Sequence, residues 1–280
     1  MTGSSQAVDI RRVSPDLRQR ESDVVAIEEP LEIQLCSQSP AGSAAKTISI
    51  TMRTPGEDAE LALGFLFTEG IIQSGAQVAS VSHSGQADPE TGLRNTIRVE
   101  LKADVDIDFA RLERHFYTTS SCGVCGKTSL DALRVSGQVS LGHCKGTFSR
   151  AVIVAMADGV RSRQPTFTET GGLHAAAVFD GDGEIIVVRE DVGRHNATDK
   201  VIGALLQAGG LPGNSLGLFV SGRASFELMQ KALVAGIPLL VAVGAPSSLA
   251  VKTAHEFDMT LVGFLRGGNF NIYAGSDRIS

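Results

Sequence analysis

Two thiols two residues apart, Cys122 and Cys125, lie in Thr118-Thr119-Ser120-Ser121-Cys122-Gly123-Val124-Cys125-Gly126-Lys127-Thr128-Ser129. Small hydroxyls and glycines do not build a core, so the segment is expected to be an exposed loop. Thiols so placed are suited to react or to bind a metal. Lys127, and a helix expected to begin near Thr128 or Ser129, would each lower a thiol pKa and raise the thiolate fraction. Zinc is one alternative, with Cys122, Cys125, His143 and Cys144 as ligands, although adjacent His143 and Cys144 diverge and make an awkward second pair. A thioredoxin-type redox pair is another. Such pairs follow a strand and open a helix with an aromatic or Pro nearby, and this loop has neither.

A second set of candidate residues follows the apolar runs of the C-terminal half. Arg189-Glu190-Asp191-Val192-Gly193-Arg194-His195-Asn196 comes after Val188, and Ser221-Gly222-Arg223-Ala224-Ser225 after Val220. Gly244-Ala245-Pro246-Ser247-Ser248 comes after Val243, and Arg266-Gly267-Gly268-Asn269 after Leu265. Glycine lets backbone N–H groups approach a ligand, helix N-termini attract anions, and Arg grips phosphate bidentately. Ligands of open α/β sheets sit beyond the carboxyl ends of strands. Four such clusters on one rim predict a site for a large anion. The pattern GxxxxGK[ST] does not occur, nor does GxGxxG after a strand, so neither a P-loop nor a dinucleotide fingerprint is present. His174, after Gly171-Gly172, reads equally well as a ligand contact or a buried hydrogen-bonding residue. Glu190 and Asp191 read as acid/base groups or as salt-bridge partners of Arg189 or Arg194.

The elements that must carry these residues are visible in the periodicity. Residues 1–22 are polar and charged and read as a flexible tail. Leu31–Leu35, Thr47–Met52 and Thr96–Leu101 alternate as strands do, and Pro55-Gly56-Glu57-Asp58 opens a helix over 58–68. Residues 23–115 therefore form an α+β subdomain, and 116–149 the CxxC loop and linker. In 150–280 the expected order is helix 150–163, strand 173–179, a hairpin turn at Asp180-Gly181-Asp182-Gly183, return strand 185–188, helix 197–207, strand 216–220, helix 226–235, strand 238–243, helix 247–257 and strand 260–265. Asp-Gly suits the turn because it tolerates positive φ. Strands alternating with helices of about ten residues indicate an α/β unit with a mostly parallel sheet covered on both faces.

The 280 residues suffice for one large domain or two modest ones, and 42% hydrophobic content gives a sizeable core. With no Trp and 5% aromatics that core must be aliphatic. A net charge of −6 argues against non-specific nucleic-acid binding, though not against a local basic pocket. The N-terminus lacks a secretory pattern, and no apolar run approaches the roughly 18 residues of a membrane helix. These features read as a soluble cytoplasmic protein, where a CxxC is more often catalytic or metal-binding than a structural disulfide.

Taken in order, the motifs resemble the FdhD/NarQ family. The matching segments are Ser120–Gly126, Thr170–Ala176, Arg189–Asn196 with Asp199-Lys200, Ser221–Ser225, Gly244–Ala250, and Gly263–Arg266 before Asn271-Ile272-Tyr273. The resemblance spans roughly residues 24–275. It implies a fold similar to cytidine deaminases, a three-layer sheet with helices on both faces, plus the smaller N-terminal α+β part, and a homodimer. It implies a sulfurtransferase required for formate dehydrogenase activity. Persulfide sulfur would pass from a cysteine desulfurase to the molybdenum bis(molybdopterin guanine dinucleotide) cofactor before insertion into formate dehydrogenase. Guanine nucleotide could mimic that ligand.

The persulfide-carrying position of the family falls on Cys122, with Cys125 as a relay or second thiol. The cofactor segment falls on Phe264, Leu265, Arg266, Gly267, Gly268 and Asn269. The rim residues expected to join it are Gly172, His174, Arg194, His195, Asn196, Ser221, Gly222, Arg223, Ser247 and Ser248. Near Asn269 the family pattern often carries an Arg, so grip there would differ. The resemblance to deaminases does not extend to chemistry, because the HxE of the zinc deaminases is absent. A cofactor-binding chaperone without sulfur transfer is the alternative from another class.

Overall fold

The computed structural model describes residues 3–15, 17–39, 42–105, 107, 141 and 147–280. Cys122, Cys125, His143 and Cys144 lie outside the described residues, as does the helix expected near Thr128. The expected boundary at 115 lies outside the described residues too.

A four-stranded sheet is built from β3 (Glu29–Ser39), β4 (Gly42–Arg53), β5 (Val78–Ser84) and β6 (Thr96–Leu101), in the order β4-β3-β6-β5. Strand β6 alternates regularly, with Ile97, Val99 and Leu101 buried. They join Leu31, Ile33 and Leu35 of β3 and Leu61, Ala62 and Leu66 of α1 (Asp58–Thr68) in one core cluster.

A six-stranded sheet occupies the C-terminal half, in the order β12-β11-β10-β9-β7-β8. Its strands are β7 (His174–Phe179), β8 (Ile185–Asp191), β9 (Gly217–Val220), β10 (Leu239–Ala242), β11 (Thr260–Arg266) and β12 (Asn269–Ala274). The helices are α2 (Arg150–Arg161), α3 (Pro165–Thr170), α4 (Arg194–Gln207), α5 (Phe226–Val234) and α6 (Ser248–Glu256). Alternate strand residues face opposite sides. Ala175, Ala177 and Phe179 pack with Ile153, Met156 and Val160 of α2. Ala176, Val178, Leu218 and Val220 pack with Val201, Met229 and Ala254 of α4, α5 and α6. The result is three layers, helix, sheet and helices.

The sheet is more mixed than expected. β10 pairs in parallel with both β9 and β11, while β7 is antiparallel to both β8 and β9, and β12 is antiparallel to β11. The tight turn at Asp180 makes β7 and β8 a hairpin, and the chain then crosses by α4 to pair β9 with β7 rather than with β8. Because β7 is reversed relative to both neighbours, β8 runs in the same direction as β9, β10 and β11.

Residues 1–22 differ from the tail expected. β1 (Ser5–Ser14) and β2 (Leu17–Ala26) form an antiparallel hairpin in full register from Ser5–Ala26 to Ser14–Leu17. Arg12 pairs across it with Glu21, one of the opposite-charge contacts that hold polar strands together. At its base Ser4 and Ser5 hydrogen-bond Thr166 and Glu169 of α3.

The four-stranded unit meets the six-stranded one through α1 and α4. A Cβ on Gly203 would lie 1.9 Å from the Glu60 carbonyl oxygen, a separation no side chain can adopt. Glycine at this crossing lets the two backbones touch.

Candidate ligand site at the strand ends

The direction of the strands decides where the candidate residues fall. The carboxyl ends of β8, β9, β10 and β11 share one edge. His174 opens reversed β7 and pairs with Asp191, so it reaches that edge too. The four clusters expected on one rim therefore stand side by side.

Backbone contacts stitch the rim together. Gly244 N donates to Gly222 O at 2.9 Å, Ser247 N to Ala224 O at 2.9 Å, and Phe264 N to Gly244 O at 3.1 Å. A Cβ on Gly244 would come within 3.0 Å of Gly222 O and 3.1 Å of the Arg223 Cα, so this loop crossing also requires glycine. Gly222 faces Arg194 Cδ and the His174 ring, each 3.5 Å from where its Cβ would stand. Arg194 Nε is buried and has no hydrogen-bond partner among the described residues. Burial, then the charge of Arg194, pushes the His174 imidazole below its ordinary pKa. It thus favours the neutral ring near pH 7, able to donate or accept one hydrogen bond.

Phe264 carries backbone strain. Its φ is 56°, a conformation costly for a bulky residue, and its ring is 47% exposed. The hydrogen bond to Gly244 holds it there, and the register of β11 against β12 shifts between Gly263 and Arg266. Gly267 and Gly268 follow with φ of 57° and 77° and make the tight turn into β12. Arg266 is exposed at this turn, and Asn269 Nδ2 donates to Gly267 O across it.

Other expected site residues are spent on structure. Leu265 is 1% exposed and packs in the α2-side core, so its side chain cannot meet a ligand. The Asn196 amide donates to Met52 O at 2.7 Å and Asp191 Oδ1 at 3.0 Å, and its oxygen accepts from the Thr51 hydroxyl at 3.1 Å. Ser221 Oγ accepts from Ala175 N, closing the β7–β9 end. Ser247 Oγ caps α6 by accepting from Ala250 N. Gly172 and Ser248 are exposed at the same edge.

His195 turns to the other side of α4. Its Nε2 lies 2.8 Å from Glu227 and 3.4 Å from Ser225 Oγ, at a cavity of about 250 Å³ between the four-stranded sheet and helices α1, α4 and α5. That contact holds the Glu227 carboxyl below its usual value, outweighing its burial. Glu227 went unnoticed in the sequence because an acid in the first turn of a helix is commonplace.

The acids of the β8 end do not pair as the sequence suggested. Arg189 pairs instead with Glu60 of α1. Glu190 accepts from Thr166 N and Phe167 N at the start of α3. Asp191 pairs with Lys200 at 2.9 Å, both side chains fully buried. Among the described residues no three His, Cys, Asp or Glu side chains converge to hold a metal ion. No helix described is long and apolar enough to cross a membrane.

A glycine-built rim that assembles Arg and Ser from four strand ends is consistent with the motif resemblance, and comparison with known proteins decides the family. The FdhD/NarQ family model matches residues 26–280. This chain belongs to the FdhD/NarQ family.

Among FdhD/NarQ relatives, "Sulfur carrier protein FdhD" of Mycolicibacterium paratuberculosis is 50% identical over 258 residues, covering 92% of each chain. The protein of the same name from Streptomyces avermitilis is 46% identical, covering 92% of this chain and 89% of its own. That of Sulfurisphaera tokodaii is 40% identical over 97% of this chain and 98% of its own. The fold is shared with a crystallised protein of Desulfotalea psychrophila assigned as a formate dehydrogenase accessory protein. The TM-score is 0.75, with 24% identity over 99% of this chain and all of that one. All of the β1–β2 hairpin but its last residue, Ala26, precedes the segment matched by the family model, while the whole strand-end rim lies within it.

Proposed function

We propose that this FdhD/NarQ protein is a sulfurtransferase that matures formate dehydrogenase. Cys122 takes sulfur from a cysteine desulfurase, and the rim holds the molybdenum bis(molybdopterin guanine dinucleotide) that receives it. The relatives named sulfur carriers support the first half. The observation that carries the second is the rim itself, where Arg194, its buried Nε without a partner among the described residues, Arg223 and Arg266 stand at glycine-rich strand ends.

The loading step is thiol chemistry. The Cys122 thiolate attacks the terminal sulfur of the donor's cysteine persulfide. A new S–S bond forms on Cys122, the donor's S–S bond breaks, and its electron pair leaves as the donor thiolate. No external oxidant is needed, because the sulfane sulfur arrives already at the level it keeps. Cys125 serves as a second thiol for relay or release. The bound cofactor is substrate here, and the rim's task is to grip its phosphates and present it to the carrier.

Guanosine diphosphate is the accessible probe of that grip. Calorimetry should find it bound by the wild type and bound more weakly by Arg266→Ala, because bidentate phosphate contacts are lost. Unchanged affinity in the variant would remove Arg266 from the site. The cytoplasm, where desulfurase and apo-enzyme meet, is the proposed compartment, and a homodimer the proposed assembly.

A further inference from the structure

We propose that Asn196 and Asp191 are positioning residues: they clamp the first turn of α4 to the end of β4, so that Arg194 is held toward the anionic ligand of the rim. The inference rests on the rim's reading as an anion site and assigns these two residues a role different from ligand contact.

The clamp is visible bond by bond. Asp191 Oδ1 accepts from Gly193 N at 2.8 Å and from Asn196 Nδ2 at 3.0 Å, which fixes the backbone immediately before Arg194. Its Oδ2 accepts from Thr54 N at 3.2 Å and meets Lys200 Nζ at 2.9 Å. Lys200 in turn donates to Thr54 O at 3.0 Å and Glu190 O at 3.2 Å. Asn196 completes the grip on β4 through Thr51 and the Met52 carbonyl. Three residues of the N-terminal unit, Thr51, Met52 and Thr54, are thus tied to the segment bearing Arg194.

The helix itself does not supply this order. Gly193 is the N-cap residue of α4 and provides no side-chain cap. Asp191 and Asn196 instead brace the turn from either side, Asp191 through the Gly193 amide and Asn196 through Asp191 and β4. Arg194, between them, keeps an Nε with no partner among the described residues. A donor buried at a glycine-lined edge and held by a hydrogen-bonded frame is arranged to receive an acceptor from outside the chain.

A double-mutant cycle read by calorimetry with guanosine diphosphate tests the assignment. Asn196→Ala should weaken binding about tenfold, equal to about 1.4 kcal/mol. In an Arg194→Ala background the same change should cost nothing further, because the clamp acts through Arg194. A general loosening of the fold would add its cost in both backgrounds. Should Asn196→Ala fold poorly, Thr51→Val removes one hydroxyl donated to Asn196 and runs the same cycle. Additive losses, or no loss from either clamp variant with Arg194→Ala still deleterious, would overturn the positioning role alone. Failure of the wild type to bind the nucleotide would overturn the anion-site reading on which it rests.

Discussion

Gly64 of α1 and Gly203 of α4 face one another so closely that a Cβ on Gly64 would lie 2.9 Å from the Gly203 amide nitrogen and 1.8 Å from the Asp199 carbonyl oxygen. The contact joins the two sheets' helices backbone to backbone. Gly203→Ala should therefore force the helices apart and destabilise the protein by about 3 kcal/mol or more, at the upper end of overpacking costs. The urea midpoint checks this. A midpoint equal to wild type would mean that the two helices separate at no cost.

A buried ion pair lies one turn away. Lys231 Nζ bonds both Asp199 oxygens at 2.8 and 2.9 Å and the Thr68 hydroxyl at 2.9 Å, with 9% and 4% of the Lys and Asp side chains exposed. Lys231→Met leaves Asp199 as an uncompensated buried charge and should cost about 3–5 kcal/mol. Combining it with Asp199→Leu should recover much of that loss. Denaturant titration of the three variants measures both effects, and equal instability of single and double variants would contradict the pairing.

Stability should also fall in acid through Asp58. Burial alone would raise its carboxyl, but hydrogen bonds from Arg53 and His83 outweigh it and hold the group below its ordinary value. Arg53 reaches both carboxylate oxygens at 2.9 Å. In the acid range the unfolded chain then binds more protons at this site than the folded one, so stability rises with pH there. The contribution is fully present above the unfolded pKa of about 4 and is lost as pH falls through the lower folded value. Asp58→Asn should lower stability at pH 7 and flatten the acid limb. Denaturation curves from pH 2 to 7 test it, and a parallel pair of profiles would exclude Asp58 as the source.

Much of the fold could be read from periodicity. The bounds of α1 and β6 agree with alternation and capping alone, since Pro55-Gly56 and Gly70 punctuate the first and strict alternation marks the second. The Asp-Gly turn announced the β7–β8 hairpin, but periodicity names strands and not their partners, so the antiparallel pairing of β7 with β9 was hidden. The β1–β2 hairpin escaped because its strands are polar and charged, with Arg12 and Glu21 paired across it, a composition that reads as a tail. Helix α4 begins three residues earlier than expected, because its opening turn, Arg194-His195-Asn196, is polar and carries no apolar periodicity, and the turn before it is fixed by Asp191 at the Gly193 amide.

The rim was legible because glycine recurs after each of the four apolar runs, with arginine after three of them and serine after two. What could not be read was the use of each side chain. Asn196 and Ser247 look like ligand contacts in sequence and are hydrogen-bonded within the fold. Leu265 sits in a cofactor-like segment, yet strand alternation turns it into the core. Glu227 and Lys200 gained their roles from tertiary neighbours that no local pattern records.

The central claim, that Cys122 carries sulfur, is tested most directly by intact-protein mass spectrometry after incubation with a cysteine desulfurase and cysteine. The wild type should gain the mass of one sulfur atom, reversible by reductant, and Cys122→Ala should gain none. No gain in the wild type beside a desulfurase shown to be active would contradict sulfur transfer and leave a cofactor-binding chaperone as the function of the rim.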